Sequence, residues 1–317
     1  MTQKPQARYG YLEAQLLVQS AFSLARSLGI RRLLVQADER RDIQTLAVGR
    51  EAEAVLWVTR GRVEIPWIER HGDVVVRIPE TPLTRTSQVR ISLFLSLLYT
   101  NMELSERLVC LFAVAGSKHL DTLLITTPKR NFPWLRHDDL VNLRKLPALR
   151  HFERLVEIAL RLAAEGREGR PIGTTFVLGE PGALSPYLSQ LILNPCAGHP
   201  PHERDIHNPT FVETLRELAA LDGAFVISNT GAVESAGTYL DAPVQKGTLR
   251  RGLGARHAAA LAITAVTKSF AIVISESSGT VTVYHEGRIA LELEKPEATP
   301  HHRSQTSHTA QRRDEPA

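Results

Sequence analysis

The stretch LRRGLGARHAAALAIT at 249–264 sets two arginines and two glycines directly before an alanine-rich run that carries an Arg-His pair. Gly252 and Gly254 let the backbone turn tightly, and the alanines from Ala258 onward favour a helix. The first turn of a helix leaves backbone N–H groups without partners and so favours an anion. Arg256 and His257 at the same end add charge and directed hydrogen bonds. Phosphate is the natural occupant; the plainer alternative is a glycine-rich loop that caps a buried helix while its arginines stay solvated. In a second stretch, LDGA at 221–224, Asp222 can hold Mg²⁺ and Gly223 lets a ligand approach the backbone, or the two form an ordinary Asp-Gly turn. A third, ISES at 274–277, ends an apolar run with Ser275 and Glu276. That is an edge where α/β sheets bind ligands, or a strand end that is polar because it meets solvent.

These stretches need elements to hold them. Phe152, Leu155, Ile158, Ala159 and Leu162 recur at helical spacing and Gly166 closes the run, after which GTTFVLG at 173–179 reads as a strand. LSPYLSQLILN at 184–194 and PTFVETLRELAAL at 209–221 read as helices. AFVIS at 224–228 and AVESAG at 232–237 read as a hairpin turned by NTG, with AIVIS, TVTVY and RIALELE as further strands. Upstream, helices at 11–28 and 87–102 alternate with β-prone runs at 31–36, 54–59, 74–79, 107–114 and 122–127, with room for helices in the polar segments between. The reading is an α/β fold of two α/β domains, the second with a mixed sheet. The first spans 1–140, a connection with prolines, aromatics and charges runs through 131–149, and the second spans 150–294. The tail at 295–317 has nothing to bury and reads as disordered.

Composition narrows the function classes. The chain has 38 Lys and Arg against 34 Asp and Glu, a net charge of +4 that is dispersed rather than gathered in a basic stripe, which weighs against nucleic acid as a partner. There is neither a signal-peptide core nor a run of membrane-spanning length, so the expected location is cytoplasmic with no membrane partner. Cys110 and Cys196 lie far apart without metal-ligand spacing and read as buried free thiols. The first domain shows no GxGxxG or Walker A motif. His199, His202 and His207 share a proline-rich loop without fixed ligand spacing and read as solvated, and His301, His302 and His308 fall in the tail.

NPCAGHPPHERDI, LDGAFVI, SAGTYLD, GLGARH and SESSGTV, in this order and spacing, resemble the diadenylate cyclase family, especially its archaeal-type members, across about 150–294. The first domain is similar, in arrangement more than motif, to the domain resembling the pyruvate kinase carboxy-terminal domain that precedes the cyclase domain in those relatives. The resemblance implies condensation of two ATP into cyclic di-AMP with release of two pyrophosphates, and a divalent metal, Mn²⁺ or Mg²⁺. It implies that Asp222 binds metal and helps activate the ribose 3′-hydroxyl, with Glu276 also on the metal side, and that Gly223 and Ala224 lie against the nucleotide. Leu240 contacts adenosine, Gly254, Arg256 and His257 hold the phosphates, and Ser275 sits at the phosphate and metal side. With one copy of each block per chain, two such domains must face each other in a self-assembly. Two departures stand out. The family's Thr-Arg-His-Arg is here Ala255-Arg256-His257-Ala258, with Lys246, Arg250 or Arg251 as possible compensation, and its Ser-Glu-Glu is Ser275-Glu276-Ser277. They motivate the alternative of a module that binds ATP or cyclic di-AMP without making it.

Overall fold

The structure, a computed structural model, describes residues 5–38, 54–60, 73–113, 117, 119–167, 170–243 and 254–296. The polar segments between the first strands, Lys246, Arg250, Arg251, Gly252 and nearly all of the tail lie outside the described residues.

Two sheets form. Helix α1 (Pro5–Ser27) leads into β1 (Arg32–Gln36), β2 (Ala54–Arg60) and β3 (Val74–Ile78); α2 (Arg85–Tyr99) then leads into β4 (Leu108–Phe112) and β5 (Thr122–Thr126). The first sheet has the order β3-β2-β1-β4-β5, parallel except for the antiparallel β4–β5 edge. The central strands are near-continuous apolar runs because both faces are covered: α1 packs Phe22 and Ala25 on the face that carries Leu33 and Trp57, and α2 packs Phe94 on the face that carries Leu34 and Val58.

The stretch read as a connection holds a helix, α3 (His137–Arg144), whose Leu140 and Leu143 are buried in the main core. Helix α4 (Leu149–Glu165) follows; its buried Phe152, Leu155, Ile158, Ala159 and Leu162 are the expected stripe, and Gly166 ends it at φ 60°. The second sheet collects β6 (Thr174–Gly179), β7 (Leu188–Gln190), β8 (Ala224–Ser228), β9 (Val233–Leu240), β10 (Phe270–Ile274), β11 (Val281–His285) and β12 (Arg288–Leu293). Helix α5 (Pro209–Leu218) precedes β8 and α6 (Ala255–Val266) precedes β10. The strand order is β12-β11-β10-β6-β8-β9-β7, with β6–β8 the one parallel pair.

The sequence expectation fails at 184–194. Leu184 ends a single helical turn, Ser185–Tyr187 is a 3₁₀ turn, and Leu188–Gln190 pairs with Leu240–Thr238 as edge strand β7. Pro186 interrupts any helical ladder, and the apolar residues find an edge to pair with instead of a face to bury. Leu193, at 96% exposure, covers nothing.

One core joins the two sheets. Phe94 of α2 lies 5.9 Å from Phe152 of α4, which lies 4.8 Å from Phe270 of β10. The start of α2 also holds the end of β12: Thr84 donates to Glu294 at 2.6 Å, and the Glu294 N–H donates to Ser87 Oγ at 2.8 Å. The layers therefore run α1, first sheet, helices α2–α4, second sheet, α6. Both cysteines are buried and free, and among the described residues no helix is long and apolar enough to cross a membrane.

Candidate active site

Strand direction decides which side chains meet. Because β8 runs parallel to β6 and β10 antiparallel to it, the start of β8 and the end of β10 share one edge: Ala224 pairs with Thr175 and Ile274 with Thr174. Strand β9 runs back along β8, so Thr238 pairs with Ala224 and Leu240 ends at the same edge. Helix α6 points its first turn there. A cavity of about 900 Å³ opens at this edge, and the nine residues that the family resemblance assigned to the site line it: Asp222, Gly223, Ala224, Leu240, Gly254, Arg256, His257, Ser275 and Glu276.

The backbone around Asp222 requires glycine. Gly223 sits at φ +100°, and a Cβ there would come within 2.7 Å of the backbone of Gly237 and Thr238. This close crossing leaves the Asp222 side chain 97% exposed at the cavity mouth. Arg256 stands between two carboxylates: its Nη1 is 3.2 Å from Glu276 Oε2 and its Nη2 4.0 Å from Asp222 Oδ1.

Helix α6 begins at Gly254 without a side-chain cap, so its first N–H groups are left to whatever occupies the cavity. The chain thus brings a helix N-terminus, a guanidinium and a histidine to one place, an arrangement of donors that an anion would satisfy. His257 departs from the sequence expectation in one respect. Burial pushes its imidazole below the ordinary value of 6.5, Glu292 opposes that push and Arg256 reinforces it. The ring therefore brings a directed hydrogen bond at neutral pH and not a charge. Its Nδ1 lies 2.9 Å from the hydroxyl of Tyr284. Ser275 Oγ, 3.3 Å from Ser277 Oγ, accepts from the Ser278 N–H at 3.4 Å, which ties the turn after β10 to the cavity edge.

The carboxylates fit a divalent cation of a particular kind. Among the described residues no three His, Cys, Asp or Glu side chains converge as a closed metal cage. Asp222 and Glu276 instead flank one guanidinium at an open edge, a donor set suited to Mg²⁺ or Mn²⁺ that takes its remaining ligands from phosphate oxygens and water.

Four contributors escaped the sequence reading. Gly173 precedes β6, and a Cβ there would lie 2.6 Å from Arg256 Nη1 and 2.7 Å from Glu276 Cβ, so its lack of a side chain is the seat of that ion pair. Tyr239, half exposed, and Leu191 add apolar lining. Tyr284 is 1% exposed and sits in the core, its hydroxyl 2.9 Å from His257 Nδ1. A glycine before a strand and a tyrosine inside one are ordinary in sequence, so neither gave a signal. The histidines of the 199–207 loop do not join the site: His199 meets Glu203 at 3.3 Å, and His207 Nε2 meets His151 Nδ1 at 2.9 Å.

Comparison with known proteins finds sequence relatives of this chain. Residues 161–289 match the family model described as "DAC: DisA bacterial checkpoint controller nucleotide-binding". A diadenylate cyclase of Methanocaldococcus jannaschii is 34% identical over 177 residues, 55% of this chain and 55% of the relative. One of Haloferax volcanii is 39% identical over 142 residues, 45% of this chain and 51% of the relative. The chain thus spans about half the length of the curated relatives it matches. Among solved structures, a double mutant of DacA from Staphylococcus aureus is similar at 20% identity and a TM-score of 0.30, over 46% of this chain and 89% of that one.

Proposed function

We propose, from the premise that this chain carries a domain of the diadenylate cyclase family, that its cavity binds ATP and condenses two molecules into cyclic di-AMP with release of two pyrophosphates. The observation that carries the reading is the meeting of Asp222, Arg256, His257, Ser275 and Glu276 at one edge beneath an uncapped helix N-terminus.

In this reading the triphosphate lies on the first turn of α6, where the free N–H groups, the Arg256 guanidinium and His257 take its oxygens, and Ser275 closes the phosphate side. Gly223 and Ala224 let the nucleotide lie against backbone, and Leu240 packs against the adenosine. Asp222 and Glu276 hold the divalent cation, which when bound neutralises phosphate charge and lowers the barrier to displacement. The 3′-oxygen of one ATP forms a bond to the α-phosphorus of the other as the bond to pyrophosphate breaks, and the hydroxyl proton leaves toward the Asp222 side. Arg256 stabilises the charge that builds on the α-phosphate and the departing pyrophosphate.

One cavity supplies half of this reaction, because each nucleotide serves once as nucleophile and once as electrophile. The domains therefore act face to face as a pair. The rim supports this: Leu191, Ile192, Leu193 and Tyr239 are 52%, 42%, 96% and 52% exposed beside the cavity, apolar surface that a second copy would cover.

Purified protein incubated with ATP and Mg²⁺ or Mn²⁺ is expected to yield cyclic di-AMP and pyrophosphate in a 1:2 ratio. A second reading, a module that binds nucleotide without turnover, is favoured by Ala255, Ala258 and Ser277, which stand where the family carries a hydroxyl, a guanidinium and a carboxylate. Tight ATP binding without product under both metals would establish it.

A further inference from the structure

We infer that the buried phenol of Tyr284 sets the tautomer of His257, so that Nε2 carries the ring proton and the histidine serves the cavity as a hydrogen-bond donor and not as a base. The inference rests on reading the cavity as the ATP site.

The argument is an accounting of one proton. Tyr284 is 1% exposed, so water does not reach its hydroxyl, and His257 Nδ1 at 2.9 Å is the one hydrogen-bond partner that hydroxyl has among the described residues. Were Nδ1 protonated, it would donate to the phenol oxygen and leave the phenol proton buried without an acceptor, an arrangement folded proteins avoid. The phenol therefore donates to Nδ1, and in the neutral ring the proton resides on Nε2. Burial pushes the tyrosine up to about 12, with Glu292 adding to the effect, so it remains a donor across the working range.

Nε2 has no hydrogen-bond partner among the described residues, and the ring lines the cavity. It offers an N–H to a phosphate oxygen beside the Arg256 guanidinium. With the proton already on Nε2, the ring has no lone pair there to accept the proton of a ribose hydroxyl, so proton removal falls to the carboxylate side of the cavity. Rotation of the ring is opposed by its contact with Tyr284, whose ring centroid lies 5.9 Å away in an edge-on arrangement. Tyr284 is thus a positioning residue: it acts on the phosphates through His257.

The test uses protein labelled with ¹⁵N in its histidine rings, without nucleotide, at a pH where His257 is neutral. Its signals are those missing from a His257→Gln variant. The expected result is a protonated Nε2 and an unprotonated Nδ1 in the parent, and a mixture of both tautomers in Tyr284→Phe, which removes one hydroxyl and keeps the packed ring. ATP affinity in Tyr284→Phe should fall about 3- to 10-fold, the scale of one hydrogen bond. The decline should appear mainly in KM, with kcat within about twofold of the parent. A protonated Nδ1 in the parent, an unaltered tautomer in Tyr284→Phe, or a collapse of kcat at unchanged KM would each overturn the inference. If ATP fails to bind the parent at all, the ATP reading falls while the ring signals still decide the tautomer.

Discussion

At the residue scale, the site is a contest for one guanidinium. Arg256 is held by Glu276 and faces Asp222, and in the proposed reading a triphosphate would draw on it as well. In that reading Asp222 and Glu276 would hold a divalent cation, which would leave Arg256 available to the phosphates. Asp222→Asn keeps the shape and removes the charge. Because the side chain is 97% exposed, the fold should be indifferent, with Tm unchanged, while turnover drops by about 100-fold or more. Turnover at the parent rate would remove Asp222 from the mechanism. Gly173 offers a complementary check from beneath the ion pair. In Gly173→Ala the new methyl would sit 2.7 Å from Glu276 Cβ, an atom close to the backbone that has little freedom to give way. The Arg256–Glu276 pair should be displaced and KM for ATP raised about 10-fold. An isothermal titration showing parent affinity would mean that the turn after β10 yields more easily than its geometry indicates.

At the element scale, helix α6 starts at Gly254 with no side-chain cap hydrogen bond. Ser, Thr, Asp or Asn would satisfy an orphan N–H at its start, yet Gly254 occupies the N-cap with nothing within 4 Å of where a Cβ would be. Space therefore does not demand glycine there; an open approach to the first turn does. Gly254→Asp should raise stability slightly, by a few tenths of a kcal/mol at most, because glycine is already a tolerable cap. The same change sets a negative charge where the proposed reading puts the phosphates, and in that reading ATP affinity should fall at least about 10-fold. A variant that loses stability, or binds ATP as well as the parent, would show that the phosphates lie elsewhere. A single side chain would thus separate helix stability from nucleotide affinity, two properties that change together at most helix starts.

At the scale of the whole molecule, assembly and acidity are the two external controls the structure suggests. If two copies meet across the apolar rim of Leu191, Ile192 and Leu193, the rate per protomer should rise with protein concentration until the pair is saturated. A species shown by sedimentation to be monomeric, with an undiminished specific rate, would exclude the face-to-face arrangement. Acid acts on the folded chain itself. Burial is the first cause that lowers His151, His257 and His285 below the ordinary 6.5, and His285 is held in the core with its Nδ1 3.0 Å from the Ser269 carbonyl oxygen. The unfolded chain therefore binds protons at these sites before the folded chain does. Stability from them is fully present above about 6.5 and is lost as pH falls toward the folded-state values. A Tm series from pH 8 to pH 5 should decline below that point, and a flat series would show that these rings remain solvated.

The sequence by itself determined the parts. Apolar stripes at helical spacing fixed α4 and α5, runs such as AFVIS fixed strands in both sheets, and five spaced blocks named the residues that line the cavity. These are local properties: a stripe or a run must be buried whatever surrounds it. Where burial depended on a distant partner, local reading failed. Leu188–Gln190 has enough leucine around it to suggest a helix, but it becomes strand β7 because β9 presents an open edge. The site follows the same division. Asp222 and Arg256 are 34 residues apart and Glu276 lies further on, and no spacing rule brings both carboxylates within 4.0 Å of the Arg256 guanidinium. The antiparallel pairing of β10 with β6, and the parallel pairing of β6 with β8, carry the start of one strand and the end of another to a shared edge. Gly173 and Tyr284 became visible only there, because their roles are a space left empty and a proton with a single acceptor, both of which exist only once the chain is packed.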